Sequence, residues 1–396
     1  EVTISGAGME LGGTILLPEG QEDPVPGIVL IHGAGPHTRD SLRQEAEAFA
    51  ELGVATLIYD KRQDGYSQFE RSYKLLADDA LAAVATLSEH PGVDPDAVGV
   101  WGLSEGAWVG PLAATNSADI AFVITVGASG VPPLQQTSWA LDNNFADQEV
   151  AGSLRHTVTS TGLRFLRGID AFPEADYDPV PALQQLEVPI LAMWGAEDQT
   201  APPTESAHIF AQAIDHPNTP HLSLRLFPDV GHELNTDTSD PPVELASDYP
   251  ETVITWVDAV VNDDQPGVVR DDFPPQVRTS TPLAPLAWWE SEWAHLIVVV
   301  VLSVGFLAYP IAAAFTMLRR RRSQPQTSRD RAAPEGTVLT AVPQTPHRLA
   351  AALAAFGLVT MVGFFLYYGT VMFSDATMFG PIIGTRPVIW LLLQAL

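Results

Sequence analysis

The sequence holds no cysteine. That excludes a disulfide framework, a thiol nucleophile and a thiolate metal site. Only two lysines occur, Lys61 and Lys74, and every other basic residue is arginine. Positive charge is scarce altogether: 20 basic residues stand against 48 acidic ones in 396 positions, a formal net charge of -28. The signs are unevenly placed, with 45 acidic and 12 basic residues over 1–293, then 3 and 8 over 294–396. A surface so acidic repels nucleic acid and anionic lipid, so a phosphate-backbone partner is excluded. An acidic, lysine-poor chain fits a salt-adapted organism and a GC-rich genome equally. Hydrophobic residues make up 46% of the chain, ordinary for a water-soluble domain joined to membrane helices.

From the N-terminus to about residue 262, short apolar runs alternate with amphipathic stretches. "GIVLIHGAG" (27–35), "VATLIYD" (54–60), "VGVWG" (98–102), "AFVITVG" (121–127), "PILAMWG" (189–195) and "LSLRLFP" (222–228) read as strands bounded by Gly, Pro or Asp. Helical patterns fill roughly 41–52, 73–88, 105–115, 203–215 and 248–262. Near-continuous apolar strands alternating with helices predict a mostly parallel sheet covered on both faces, an α/β architecture. "EVTIS" and "LGGTILLP" read as an antiparallel hairpin on its edge. Residues 130–182 break the rhythm and read as a mostly helical cap.

Residues 263–293 read as a Pro-rich acidic linker that ends in "WWESEW". An uncharged run over 294–318 is long enough to cross a bilayer as a helix, and a second follows over 349–373. Trp288, Trp289 and Trp293 fit an interfacial belt, and Arg319 to Arg322 fit the cytoplasmic side of a membrane. The basic loop 319–348, with Arg329, Arg331 and Arg348, is therefore expected inside the cell. The expected location is the cell membrane, multi-pass, with the acidic domain extracytoplasmic and the lipid bilayer as partner of the C-terminal helices. The chain opens at Glu1 with neither Met nor a leader, so a processed or trimmed start is expected. "RPVIWLLLQAL" opens a third apolar segment, over 387–396, that stops short of spanning length, so a longer natural chain is expected.

Gly102-Leu103-Ser104-Glu105-Gly106 matches G-x-S-x-G, with a strand before it and a helix after it. That context makes Ser104 a candidate nucleophile on a strained strand-to-helix turn, with the Glu105 N–H aimed at the oxyanion. A serine hydroxyl needs a base, and the base an orienting acid, in the chain order Ser, Asp or Glu, His. "MWGAEDQTAPP" supplies Asp198, with Glu197 as the neighbour that could substitute, and "FPDVGHELN" supplies His232. His208 falls on a helix, His216 and His221 precede the last strand, and His90 and His156 lie away from strand ends. The second oxyanion donor is expected from "HGAGP", at the Ala34 N–H, with Gly33 or Gly35 as alternatives. His32 is expected to brace that loop rather than exchange protons.

At these residues the chain resembles the α/β-hydrolases, in particular the dienelactone-hydrolase and serine-aminopeptidase-like group with its exported bacterial esterases. "HGAGPHTRD" resembles that group's HGSGPxDRD loop, and "YDKRQDGYS" its YDKRGxGxS turn. "DDALAAVATLSEHPGVDPDAVGVWGLSEGAW" is similar to its helix, Asp-Pro turn and elbow, and the likeness covers about residues 10–262. Gln63 and Glu105 depart from the pattern. Glu105 puts a carboxylate beside the nucleophile, so a pocket that disfavours anionic substrates is expected. The resemblance implies hydrolysis of a small-molecule acyl ester through an acyl-enzyme, with no metal or organic cofactor. Trp139, Phe145 and Phe165 are candidate walls of the acyl pocket, or plain cap core. The same residues would serve an acyltransferase, thioesterase or peptidase, and a non-catalytic binding ectodomain is the reading from another class.

Overall fold

The computed structural model describes residues 1–214, 222–236, 244–262, 270–322, 344–373 and 379–395. His216, His221, Arg329 and Arg331 lie outside the described residues, as does most of the expected basic loop. The chain forms two compact units, one of Glu1–Asn144 with Asp170–Ala284 and one of Phe145–Ile169 with Pro285–Leu396.

The first unit is built on an eight-stranded sheet. Its strands are β1 (Val2–Gly6), β2 (Met9–Leu16), β3 (Val25–Ile31), β4 (Ala55–Tyr59), β5 (Val93–Leu103), β6 (Val123–Val126), β7 (Ile190–Gly195) and β8 (Leu222–Phe227). They lie in the order β1-β2-β4-β3-β5-β6-β7-β8. The edge hairpin of β1 and β2 is antiparallel, β2 meets β4 antiparallel, and the rest of the sheet is parallel. This is the α/β-hydrolase fold. The expected Asp-Pro turn at Asp94-Pro95 instead falls inside β5, where the register against β3 shifts between Val93 and Val98.

The helices, in chain order, are α1 (Arg43–Glu51), α2 (Tyr73–Ser88), α3 (Gly106–Ala114), α4 (Pro133–Asp147), α5 (Ser153–His156) and α6 (Leu163–Gly168). There follow α7 (Val180–Gln184), α8 (Pro203–Ala213), α9 (Tyr249–Val261), α10 (Glu292–Arg322), α11 (Gln344–Phe373) and α12 (Val388–Ala395). Successive strand residues point to opposite faces, and both faces are covered. Val29, Ile31, Leu57 and Val100 share one core with Leu76, Ala80, Ala83, Val84 and Leu87 of α2. Ile28, Leu30, Ile58 and Trp101 share the other with Phe49 of α1 and Val253 and Val257 of α9. The apolar stripe of α2 recurs at three- and four-residue steps, and Ser72 caps its start by accepting the Leu75 N–H.

The expected linker is not a free tether over 270–284, which groups with the first unit. The Asp271 carboxylate takes the Leu226 N–H and Arg225 Nε, and Thr204 donates its hydroxyl to the Pro274 carbonyl. Ser280 donates its N–H and hydroxyl to the Glu205 carboxylate.

The second unit joins part of the cap insertion to the C-terminal helices. A π-helical turn, Thr157–Gly162, connects α5 to α6. Within this unit Phe145 meets Phe379, and Phe165 meets His295 and Phe365. Those rings therefore pack on the C-terminal chain, whereas Trp139 donates its indole N–H to the Arg278 carbonyl in the first unit. Two stretches, Glu292–Thr316 in α10 and Arg348–Met372 in α11, are long and apolar enough to cross a membrane, and the rest of the chain leaves their apolar windows uncovered.

Candidate active site

Ser104, Asp198, His232, Ala34 and Glu105 all lie in the first unit. β5 ends at Leu103, α3 begins at Gly106, and Ser104 stands on the turn between them with φ +53°. That left-handed conformation costs a residue with a Cβ roughly 1–3 kcal/mol, and surrounding structure must hold it. The flanking glycines explain how. A Cβ on Gly102 would stand 2.1 Å from the Gly106 carbonyl oxygen, and one on Gly106 would stand 2.4 Å from that of Ile31. Only glycine lets strand and helix approach so closely. The Ser104 N–H donates to the Val126 carbonyl at 2.8 Å, which ties the turn to the end of β6.

Asp198 and His232, 34 residues apart, are brought together. The His232 Nδ1 lies 2.8 Å from Asp198 Oδ2. The other carboxylate oxygen accepts the N–H groups of Thr200 and Ala201, so the aspartate is fixed before it meets the ring. Glu197, the alternative acid, is exposed to solvent. Burial acts to lower the His232 pKa, but the charge and hydrogen bond of Asp198, helped by Glu233, outweigh it and raise the value above the usual 6.5. His232 Nε2 is buried and has no hydrogen-bond partner among the described residues. The ring lies against Gly127, the residue after the Val126 carbonyl that holds Ser104, since a Cβ there would come within 2.7 Å of Cε1.

The loop after β3 carries the second candidate oxyanion donor. Of its three N–H groups, that of Gly35 donates to Tyr66 Oη at 2.9 Å, which withdraws one alternative to Ala34. Lys61 donates to the Gly33 carbonyl at 2.5 Å, and His32 makes a 2.7 Å bond to the Tyr59 carbonyl. Burial lowers the His32 pKa to about 4, so the ring is neutral and braces the loop.

The carboxylate of Glu105 gathers these groups. It is 1% exposed, accepts hydrogen bonds from Lys61 Nζ (2.6 Å) and Tyr66 Oη (2.9 Å), and pairs with Arg71 at 2.8 Å. The carboxylate beside the nucleophile is thus buried between two cations. Lys61 and Tyr66 both come from "YDKRQDGYS", and each also grips the loop of "HGAGP". Arg62, between them, forms a buried pair with Asp79 of α2 and donates to the Ala7 carbonyl. Sequence reasoning quoted this turn but gave Lys61 and Tyr66 no role, and it missed Arg71. The signal for the first two was a lysine in a chain that has only two.

The sheet order, with a strand-to-helix turn after β5, is that of the α/β-hydrolase fold, and the serine and the Asp–His pair stand on its strand-end loops. Beyond the fold, the family model for the prolyl oligopeptidase family matches residues 41–250, just over half the chain, and the chain belongs to that family. It is similar to thiohydrolase aneE of Aspergillus aculeatus, 29% identical over 123 residues, which are 30% of this chain and 38% of that protein. It is also similar to esterase EstD of Thermotoga maritima, 23% identical over 271 residues, which are 62% of each. The chain thus spans under two thirds of the length of either relative. Among solved structures, a dienelactone hydrolase from Anabaena variabilis superposes with a TM-score of 0.42 at 19% identity, over 64% of this chain and 94% of that one.

Glu105→Gln strands Lys61 and Arg71 in a buried site without their counter-charge. The expected loss of stability is about 3 kcal/mol, read from the midpoint of denaturant unfolding. A change within a few tenths of a kcal/mol would show that the network does not hold the loop.

Proposed function

We propose that the chain is a serine hydrolase of carboxylic esters, on a domain held outside the cytoplasm by membrane-crossing helices. The observation that carries this reading is the 2.8 Å Asp198–His232 bond, with a buried Nε2 left over and the ring packed on Gly127, next to the Val126 carbonyl that holds the strained Ser104 turn. Ser104 Oγ attacks the acyl carbon while His232 Nε2 takes its proton. The oxyanion is received by the N–H groups of Ala34 and Glu105, each donor contributing about 3 kcal/mol to the barrier reduction. The bond to the leaving alkoxide breaks as His232 returns the proton to it. Water then attacks the acyl-enzyme by the same route, releasing the acid and restoring Ser104. Asp198 holds the imidazole and stabilises its charged form.

The family description and the thiohydrolase relative favour a second reading, in which the scissile bond is a peptide or thioester. A chain-length series of p-nitrophenyl esters beside peptide p-nitroanilides separates the two. Hydrolysis of the anilides without the esters overturns the ester reading and leaves the site intact. A fluorophosphonate probe tests the nucleophile: strong labelling is expected in the wild type and none in Ser104→Ala. Equal labelling removes Ser104 from the mechanism.

The pH profile of kcat/KM should be bell-shaped. His232 works as a neutral base, and its raised pKa puts the acid limb above pH 6.5. Burial, partly opposed by Glu105, lowers the Lys61 pKa to about 8, so the ammonium that holds the Gly33 carbonyl is lost as pH rises through that value. The residual activity of Lys61→Met is expected to lack the alkaline limb. An unmoved limb assigns it elsewhere.

The membrane reading is supported by the two uncovered apolar helices, by exposed Trp288, Trp289 and Trp293, and by the arginine run at Arg319 to Arg322. A chain without cysteine suits accessibility labelling. In intact cells a membrane-impermeant maleimide should label Val277→Cys, at a site 97% exposed, and reach Arg331→Cys only after permeabilisation. The opposite pattern reverses the orientation.

A further inference from the structure

The second unit contains a cavity of about 270 Å3 that the proposed hydrolytic reaction does not use. The π-helical turn and α6 form one wall, the first turns of α10 a second, and the C-terminal half of α11 a third. Its lining is almost wholly apolar, with Phe165, Val299, Leu302 and Phe365 among the walls. Val299, Leu302 and Phe365 are partly exposed, so the pocket is open on one side, and its apolar lining suits an apolar guest.

One buried polar atom in that lining is left unpaired. Tyr368, on the lining, is 6% exposed, and its hydroxyl has no hydrogen-bond partner among the described residues. A buried phenol ordinarily finds a partner, and leaving one unpaired costs about 1–3 kcal/mol. The adjacent Tyr367 follows the rule and bonds the Phe379 carbonyl at 3.1 Å. The Tyr368 hydroxyl is accommodated because residue 162 has no side chain: a Cβ there would stand 2.1 Å from Oη. Gly162 closes the π-helical turn, a distortion that recurs at functional sites.

We propose that this cavity binds one acyl chain of a glycerophospholipid, with the Tyr368 hydroxyl donating to its ester carbonyl. The inference rests on the membrane reading above. At 1.5 Å per residue, His295 to Leu302 lie about 5 to 15 Å along α10 from Glu292, and Tyr368 lies about 6 Å before Met372, the outer end of the second span. Those depths match the ester and upper-chain region of an outer leaflet. At the same end Glu290 lines the cavity, pairs with Arg164 and accepts the Ala287 N–H, which gives a polar rim beneath the exposed tryptophans. A chain with a hydrogen-bond acceptor at its head fits this arrangement, and a wholly apolar guest leaves Tyr368 unpaired.

The test uses the full chain in nanodiscs of palmitoyl-oleoyl phosphatidylcholine carrying a phosphatidylcholine with a diazirine near its ester. Photolabelling is expected to concentrate on the peptides around 157–165, 295–302 and 361–368. Val299→Trp, which fills the cavity, should cut that labelling at least tenfold. Tyr368→Phe keeps the volume and should weaken it severalfold, so the result does not hinge on whether the bulky variant folds. Labelling spread evenly along the lipid-facing sides of α10 and α11, or unchanged in both variants, overturns the acyl site while the membrane reading stands. Release of the chain from membranes by carbonate overturns the membrane reading and the lipid site with it.

Discussion

A carboxylate removed from water must be neutralised where it stands, and in this chain that constraint organises the candidate active site. Glu105 follows the candidate nucleophile, so its backbone belongs to the strained turn while its side chain faces inward. Lys61, Tyr66 and Arg71 meet it there. Lys61 and Tyr66 then spend their remaining hydrogen-bonding capacity on the loop after β3, at Gly33 and Gly35. The two backbone segments proposed to cradle an oxyanion are thus coupled through one buried charge cluster as well as by the close approach of Gly106 to the Ile31 carbonyl. Such a cluster is weak evidence for stability but fixes geometry well, because each member is costly to leave alone.

Much of the fold was legible in the sequence because its signals are local. The six inner strands announce themselves as β-branched runs between turn residues, and α2 by its recurring apolar stripe. Chain order then fixed the candidates Ser104, Asp198 and His232. The charged interior was not legible. Lys61 and Arg71 look like solvated residues in a one-dimensional reading, and Glu105 lies 44 positions from Lys61, so no periodicity links them. Their burial is a tertiary fact.

The cap shows the same limit from another side. Its helical patterning was readable, and Trp139, Phe145 and Phe165 stood out on it as pocket walls or plain cap core. Periodicity says that a face is buried but not against what. Phe145 and Phe165, candidate walls of an acyl pocket, instead meet Phe379, His295 and Phe365. Trp390 and Ala151 reinforce that grouping, through bonds to Ser153 and Thr385.

Residues 145–169 therefore belong, in space, with a stretch that begins more than a hundred positions later. The border between the two units is crossed three times by one chain, at 144, at 169 and at 284. No single cut detaches the unit with the α/β-hydrolase fold cleanly. Stopping the chain at 284 bares Phe145, Phe165 and the π-helical turn to water. A version that behaves as an ordinary soluble protein calls for two excisions, one of the C-terminal region and one of the insertion that accompanies it.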